Sequence, residues 1–434
     1  MWLYLKNLTF RKHWIENLFG SLPYKKVRPP MNGNFLFFCV ILFPFVPLFA
    51  QEETKNPHYF SWNNGFTLES AEKDFRLKFG GRMMVDHAYL FQDRGLDQSF
   101  GPLASKSGTE IRRARLVFSG VVYKNVFFKF QVDFAGGQTK LKDVYIGLRD
   151  LPIAGKVMIG HFKEPIRLSS LTSSKYTTFM EPGQNAAFAQ SRNNGILIMN
   201  DFLDQRLSAQ FGAFRNANNN SDDAFADDGY VITGRITGLA IRNAGKRQLL
   251  HLGAAYSYRK PESGEYQVSL RPGAHLAPKY STTGTLGNVK NINLVNFETA
   301  YVHGPFSFQG EYLSAVVNTG SDTFAFSNYY GQASFFITGE SKKYKSSYEG
   351  FDRVKPNRNF GGKSKSAGAW EVAIRYSETD LIDKSIVGGK QSDVALGLNW
   401  YMNPATRLMV NYIWTDIKDQ GIATILQGRI QIDF

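Results

Sequence analysis

The carboxy-terminal stretch GIATILQGRIQIDF, residues 421–434, alternates apolar and polar side chains with a period of two. Successive side chains of a β-strand point to opposite faces, so the stretch predicts a strand with one apolar face. That face carries Leu426, Ile430, Ile432 and Phe434, and the opposite face carries Gln427, Arg429, Gln431 and Asp433. One side of the strand therefore suits an apolar medium, and the other side suits water.

The same alternation recurs through most of the chain. From Phe75 onward no helical period of useful length is present, and alternating segments of about ten residues are separated by turn-rich gaps. Phe128 and Phe130, for example, face away from Lys129. Sixteen such segments lie at approximately 75–91, 110–121, 125–135, 141–149, 156–162, 194–201, 206–215, 229–241, 247–259, 291–303, 305–316, 328–340, 367–379, 390–402, 405–416 and 421–434. An even number of antiparallel strands closes into a barrel with both chain ends on the same side.

The connections between these segments alternate in length. Tight connections lie at residues 123–125, 201–204, 303–305 and 403–405, and long ones at 92–109, 163–193, 216–228 and 260–290. Short turns at one end and long loops at the other are typical of bacterial outer-membrane barrels, whose short turns face the periplasm. Residues 341–366 break the pattern, because they are long but fall at the short-turn end. Either a strand is miscounted nearby or this segment is a periplasmic excursion.

An apolar run precedes the alternating region. Residues 35–49, FLFFCVILFPFVPLF, are followed by Ala50 and the polar Gln51. The run is shorter than the roughly 20 residues of a transmembrane helix, and the small residue at its end fits a cleaved signal peptide. We therefore predict a signal peptide over residues 1–50 with Met31 as a candidate true start, a short mature segment over 51–74 and a barrel domain over 75–434. A retained amino-terminal anchor is the alternative.

A soluble all-β protein remains a competing interpretation, because the strands of a soluble sheet also alternate. The predicted signal peptide favours the membrane, and so does Phe434, since a terminal Phe closing an alternating strand looks like the signal that outer-membrane assembly machinery recognises. The only cysteine, Cys39, lies in the predicted signal peptide, so the mature chain is predicted to lack disulfides and thiolate metal sites. The predicted fold is an all-β transmembrane antiparallel β-barrel of about 16 strands in a bacterial outer membrane.

The charge balance favours an anionic partner. Removing residues 1–50 takes away six Lys or Arg and one Glu, which leaves 45 basic and 36 acidic residues and a net charge of +9. Such an excess suits a small anion, a polyanion or an anionic membrane surface. The sequence contains no HExxH, GxSxG, Walker or GxGxxG motif, so neither an enzyme nor a cofactor is predicted.

Several runs resemble the phosphate-selective porin O and P family. They are RRARL (112–116), FFKFQVDF (127–134), KDVYI (142–146), GHFKEP (160–165), SSK (173–175), FITGE (336–340) and GAWEVAIRYS (368–377). Their order and spacing extend the resemblance over Phe75 to Phe434. The resemblance implies a homotrimer of sixteen-stranded barrels. It also implies that each pore is narrowed by an infolded third outer loop and lined by basic side chains that pass phosphate-like anions.

The third long outer connection, residues 163–193, is the candidate for the infolded loop, and its cations alternate with serines that add hydrogen-bond donors. The residues predicted to line the pore or bind the anion are Arg82, Arg112, Arg113, Arg115, Lys129, Asp143, Lys163, Arg167 and Lys175. Arg112 has the opposite parity to Arg113, which places it at the rim unless a bulge re-aims it. Further basic residues with water-facing parity could guide anions along the wall: Arg76, Lys78, Arg235, Arg259, Arg375 and Arg429.

The function predicted from these features is passive diffusion of small anions, phosphate or polyphosphate, through a constricted basic pore. Expected partners are phosphate or similar anions, outer-membrane lipid and lipopolysaccharide, and further copies of the chain, with no nucleic acid. A general non-specific porin is the first alternative. A barrel that serves as a surface receptor or adhesin through loops such as residues 259–290 is the second.

Overall fold

The computed structural model describes residues 58–62, 65–217, 229–361 and 365–434. The predicted signal peptide lies outside these residues. The described part forms β1 (His58–Trp62), β2 (Phe66–Ser70), β3 (Arg76–Gln92), α1 (Arg94–Phe100), β4 (Ser107–Val122), β5 (Val126–Asp133), β6 (Lys140–Leu151), β7 (Gly155–Lys163), α2 (Leu168–Leu171), a 3-10 helix (Gln184–Ala187), β8 (Arg192–Phe202), β9 (Leu207–Arg215), β10 (Tyr230–Asn243), β11 (Gln248–Lys260), β12 (Ser269–Leu270), β13 (Ser281–Thr282), β14 (Asn291–His303), β15 (Phe306–Asn318), β16 (Thr323–Phe336), β17 (Tyr344–Ser346), β18 (Gly350–Phe351), β19 (Ala369–Asp383), β20 (Ile386–Tyr401), β21 (Thr406–Ile417) and β22 (Gly421–Asp433). None of the helices among these residues is long and apolar enough to cross a membrane.

Sixteen of the described strands form one closed antiparallel sheet. Strands β3 to β11, β14 to β16 and β19 to β22 each pair with the next in chain order, and β22 pairs back onto β3 from Asp433↔Arg82 to Ala423↔Gln92. Closure leaves no free strand edge over the length along which β22 and β3 pair. The predicted sixteen-stranded antiparallel barrel is confirmed.

The two faces of the wall differ as the period-two pattern predicts. On β3, Met83 and Phe91 are 51% and 54% exposed on the outer surface, whereas Arg82 and Asp86 are buried inside. Aromatic rings mark the outer surface near the short-turn end, where Trp370 stacks on Trp400 with ring centroids 5.3 Å apart. An apolar band bordered by aromatic residues is the surface that a barrel presents to lipid.

The long connection between β16 and β19, residues 337–368, lies at the short-turn end of the barrel. The backbone N–H of Phe336, the last residue of β16, donates to the carbonyl of Pro305 in the tight turn at residues 303–305. No strand is therefore missing, and the long connection is a genuine excursion at the short-turn end, the end that faces the periplasm in outer-membrane barrels. We call residues 337–368 the periplasmic segment.

Much of the barrel interior is filled by connections that fold inward. Phe188 packs with Val268 and Leu270 of the connection 261–290 against Leu294 and Leu313 of the wall. A second cluster combines connection and wall residues in the same way, namely Phe179, Ala274, Ile413 and Ile425. A third cluster joins the inner wall of β7 to β10 to the periplasmic segment, namely Met158, Phe162, Leu197, Phe214, Val231 and Tyr348.

An amino-terminal hairpin extends the sheet, a feature that the sequence did not reveal. Strands β1 and β2 pair with each other, and β2 pairs with β3 from Phe66↔Phe79 to Glu69↔Arg76. The hairpin thus occupies the edge of β3 that β22 leaves open beyond Phe434. Its outer side chains, Phe60 and Trp62 among them, are exposed and continue the apolar outer surface.

Candidate anion site

The connection between β7 and β8, residues 164–191, crosses the barrel to the opposite wall. We call it outer loop 3, because it is the third connection at the long-loop end. Arg375 of β19 donates to the carbonyl of Glu181 at 3.0 Å, Arg407 of β21 to that of Thr177 at 2.7 Å and Arg429 of β22 to that of Met180 at 2.6 Å. These inward arginines hold the loop backbone away from the strands that it connects.

Before it reaches these arginines, outer loop 3 brings two serines to β3. Arg82 donates through Nη1 to the hydroxyl of Ser174 at 2.8 Å and to that of Ser173 at 3.3 Å. Lys163, at the end of β7, donates to the carbonyls of Leu171 and Thr172 at 3.0 and 3.2 Å. The fold thus brings two predicted cations and the serine pair into one place.

A β-bulge decides where Arg112 and Arg113 point. The register between β3 and β4 shifts where Met84 and Val85 pair with Arg113 and Ile111, which leaves Arg112 as the extra residue. A bulge re-aims the side chain of the extra residue. Arg112 forms two hydrogen bonds to the carboxylate of Glu181 in outer loop 3, at 2.9 and 2.8 Å. Of the two placements left open for Arg112, the structure shows the one in which a bulge re-aims the side chain.

Several of the predicted cations are neutralised by neighbouring carboxylates. Arg115 binds Asp133 at 2.7 Å. Asp143 accepts from Lys129 at 2.6 Å and from Arg192 at 2.7 Å. Asp143 thus holds two cations of the inner wall in fixed positions and offsets one of their two positive charges.

Several interior cations of the described structure have no carboxylate within hydrogen-bond distance. Arg167, Arg375 and Arg407 bind carbonyls of outer loop 3 instead. Arg82 binds hydroxyls, Lys163 binds carbonyls, and Arg113 contacts the sulfur of Met84 at 3.7 Å with the nearest carboxylate oxygen, from Glu181, at 3.8 Å. The Nε–H groups of Arg82 and Arg113 have no partner among the described residues. Arg82 and Lys163 thus lack a direct counter-ion, and Arg113 has only the more distant Glu181. Because a charge away from water needs compensation, the group favours an anion as a further partner.

Other predicted residues lie outside this cluster. Arg167 is buried within outer loop 3 and donates to the carbonyls of Asn185 and Ala189, so it stabilises the loop itself. Of the basic residues proposed to guide anions along the wall, Arg76 is exposed at the short-turn end. Three others are paired with acids, namely Arg235 with Glu298, Arg259 with Glu164 and Arg429 with Asp86.

Two residues of the site, Glu181 and Arg353, were not predicted from the sequence. Glu181 binds both Arg112 and Arg429, and although burial opposes its ionisation, Arg112 and Arg113 hold the pKa of its carboxyl well below the usual range. Arg353 of the periplasmic segment binds the carboxylate of Asp433. The ammonium of Lys175 lies 3.4 Å from the same carboxylate. The sequence carries no signal for either contact except that Glu181 is an acid in an otherwise basic stretch of the loop.

The charge of Lys175 depends on pH just above neutrality. Its burial, together with Arg82 and Arg353 nearby, lowers the pKa of its ammonium to about 8, although Asp433 opposes this shift. The Lys175 side chain is 18% exposed. It therefore borders the space beside the serine pair rather than lying fully in the packed interior.

A model of the family described as phosphate-selective porin O and P matches residues 88–434. The chain belongs to this family. The porin is 25% identical over 393 residues to Porin O of Pseudomonas aeruginosa, covering 80% of this chain and 85% of that protein. Membership makes it a channel protein of the bacterial outer membrane.

Solved structures of outer-membrane channels share the fold of this porin. An anion-selective porin from Comamonas acidovorans superposes with a TM-score of 0.55 at 15% identity, over 83% of this chain and 100% of that one. The outer-membrane channel DcaP of Acinetobacter baumannii gives a TM-score of 0.53 at 12% identity, over 84% and 99% of the two chains.

Proposed function

We propose that this porin passes small anions by passive diffusion and that phosphate binds on the way at Arg82, Arg113, Lys163 and the hydroxyls of Ser173 and Ser174. The observation that carries the proposal is that the inward loop gathers Arg82, Arg113 and Lys163 together with two serine hydroxyls, and that none of these cations hydrogen bonds to a carboxylate. Guanidinium, ammonium and hydroxyl groups together supply the charge and the donors that a phosphate loses when it leaves water.

The surrounding acids set how long the anion stays. Asp143 and Glu181 hold Lys129, Arg192 and Arg112 beside the cluster, and thereby reduce the net positive charge that the anion meets. Conduction requires binding favourable enough to admit the ion but weak enough to release it. A cluster of cations without hydrogen-bonded carboxylates, bordered by cations that do have them, suits both requirements.

Lys175 offers the next donor beyond the serine pair in the direction of the periplasmic segment. Its ammonium lies beside Asp433 and Arg353, and the latter belongs to the periplasmic segment. An anion released from Arg82 can therefore move to Lys175 without crossing a long apolar stretch. This arrangement suits passive diffusion, which follows the concentration gradient in either direction.

The proposal is tested by single-channel recording of the mature protein in planar bilayers. Chloride current is measured while phosphate is added, for the unmodified protein, for Arg113→Ala and for Lys163→Ala. Lys390→Gln, which removes a cation of the outer surface that pairs with Glu378, serves as the matched control. We expect phosphate to block chloride current in the unmodified protein and in the control, and the block to weaken in the other two.

Three outcomes would favour other functions. Chloride current that phosphate leaves unchanged in the unmodified protein indicates a general porin. A reconstituted protein that conducts almost no current supports the receptor or adhesin. Preference for cations over anions contradicts the proposal directly.

We also propose that the porin assembles as a homotrimer in contact with outer-membrane lipid and lipopolysaccharide. Support comes from the trimer form in which OmpT of Vibrio cholerae is described, a barrel with a TM-score of 0.51 to this chain, and from the apolar outer surface. Light scattering in detergent, corrected for bound detergent, distinguishes three copies from one.

A further inference from the structure

Two buried glutamates lie directly opposite each other on neighbouring strands of the wall, an arrangement that is unfavourable for two like charges. Glu298 of β14 and Glu311 of β15 are direct cross-strand partners on the inner face. Like charges directly opposite each other destabilise a sheet, and a buried charge needs compensation. Places where a local rule is broken in this way tend to serve the function of a protein.

Both carboxylates bind the beginning of outer loop 3. The backbone N–H of Leu168 donates to Glu298 at 3.0 Å, and that of Ser169 donates to Glu311 at 2.7 Å. Asn185, further along the loop, donates to the second oxygen of Glu311 at 3.2 Å. The pair therefore fixes two points of the loop to the wall.

Glu298 also reaches the periplasmic segment through two wall residues. Arg235 donates through Nε to Glu298 at 3.1 Å and through Nη1 to the carbonyl of Ser347 at 3.0 Å. His251 contacts Glu298 at 2.8 Å through Nε2 and the hydroxyl of Tyr344 at 3.0 Å through Nδ1. One carboxylate thus connects a loop from the outer side with a segment from the periplasmic side.

The two inserted segments also touch each other next to the anion site. The hydroxyl of Tyr348 donates to the carbonyl of Lys163 at 2.8 Å. Gly350 has a φ of +64°, and a Cβ at this position would overlap Oγ1 of Thr172. Thr172 immediately precedes Ser173, so a shift of either segment displaces the serine pair.

We propose that Glu298 and Glu311 form a clamp that positions outer loop 3 and the periplasmic segment together, and so sets both the bore of the channel and the placement of the serines at Arg82. The inference deepens the proposed function and rests on it for the anion site. It makes the two glutamates positioning residues, because neither hydrogen bonds to Arg82, Lys163 or the serine pair within the described structure. Restriction of the bore, however, does not depend on the charge of the solute.

The test uses Glu298→Gln and Glu311→Gln in the mature protein. Glutamine keeps one acceptor oxygen but carries no charge. The hydrogen bonds from Arg235 and from the loop N–H groups to this side chain therefore become weaker. Weakening a buried charged hydrogen bond costs enough for a roughly tenfold rise in the frequency of excursions to higher conductance. Liposome swelling with neutral sugars of increasing size should show larger sugars entering through both variants.

Controls separate the clamp from general damage. Glu378→Gln removes a carboxylate of the outer surface that binds Lys390 and should leave current noise and sugar size limit unchanged. Tyr344→Phe removes only the hydroxyl contact to His251 and should give a smaller rise in noise, which decides the question if neither glutamine variant folds. Folding is checked by the heat-dependent shift of the barrel in gel electrophoresis.

Folded glutamine variants that keep the original noise and sugar size limit would overturn the clamp. In the fallback case, a Tyr344→Phe variant indistinguishable from the unmodified protein would do the same. If phosphate fails to block the unmodified protein while the variants still admit larger sugars, the clamp stands and the proposed anion site fails. The two proposals are thus tested separately by one set of recordings.

Discussion

Replacing Arg82 with alanine should weaken phosphate binding more than any other single change in the wall of β3. The side chain offers Nη1 to Ser173 and Ser174, and its Nε–H has no partner among the described residues. A charge-assisted hydrogen bond contributes about 1.5–3 kcal/mol. Since about 1.4 kcal/mol corresponds to a factor of ten, phosphate should block chloride current about ten to a hundred times less tightly.

The assay is a phosphate titration of single-channel chloride current at fixed ionic strength, because salt screens surface charge. Arg76→Ala is the matched control, since Arg76 lies on the same strand with the same parity but is exposed at the short-turn end. We expect a change of less than about twofold there, as for other exposed charges. Equal effects of the two substitutions would show that overall charge, rather than the cluster, binds the anion, and would refute the reasoning.

Three further predictions concern residues around the cluster. Asp143→Asn frees Lys129 and Arg192 from their shared carboxylate, so phosphate should block at lower concentration and stay bound longer in single-channel records. Lys175, whose pKa is about 8, loses its charge as the pH rises, so block by sulfate, which keeps its charge, should weaken between pH 7 and 9 in the unmodified protein but not in Lys175→Arg. Arg167→Met should lower the free energy of unfolding by about 1–3 kcal/mol, because two loop carbonyls lose their donor, while phosphate block is unchanged; weakened block with unchanged stability would contradict this.

The candidate site was only partly predictable. Arg82, Arg113 and Lys163 were identified by parity and by their position in a long basic connection, and the structure brings all three to outer loop 3. Which of the cations lack an acid was not predictable, because the partners come from distant parts of the chain. Arg429 and Asp86, for example, are 343 positions apart in sequence and form a direct ion pair.

The bulge at Arg112 shows the same limit on a smaller scale. Parity assigns a side chain to one face only while the register between neighbouring strands is regular. The register shift at Met84 and Val85 depends on how β3 and β4 pair. The sequence of β4 alone does not predict this pairing. The inward course of the periplasmic segment and the pairing of β2 with β3 are decided in the same way, by contacts rather than by local pattern.

From the sequence alone follow the number of strands, the two faces of the wall and the basic character of the inner face. These properties depend on a period of two that each strand carries locally, and on a contrast between lipid and water that acts on each side chain separately. Only the tertiary structure decided which charges remain uncompensated and which segments enter the barrel. Compensation and insertion are properties of residue pairs, and the closed sheet sets which pairs meet.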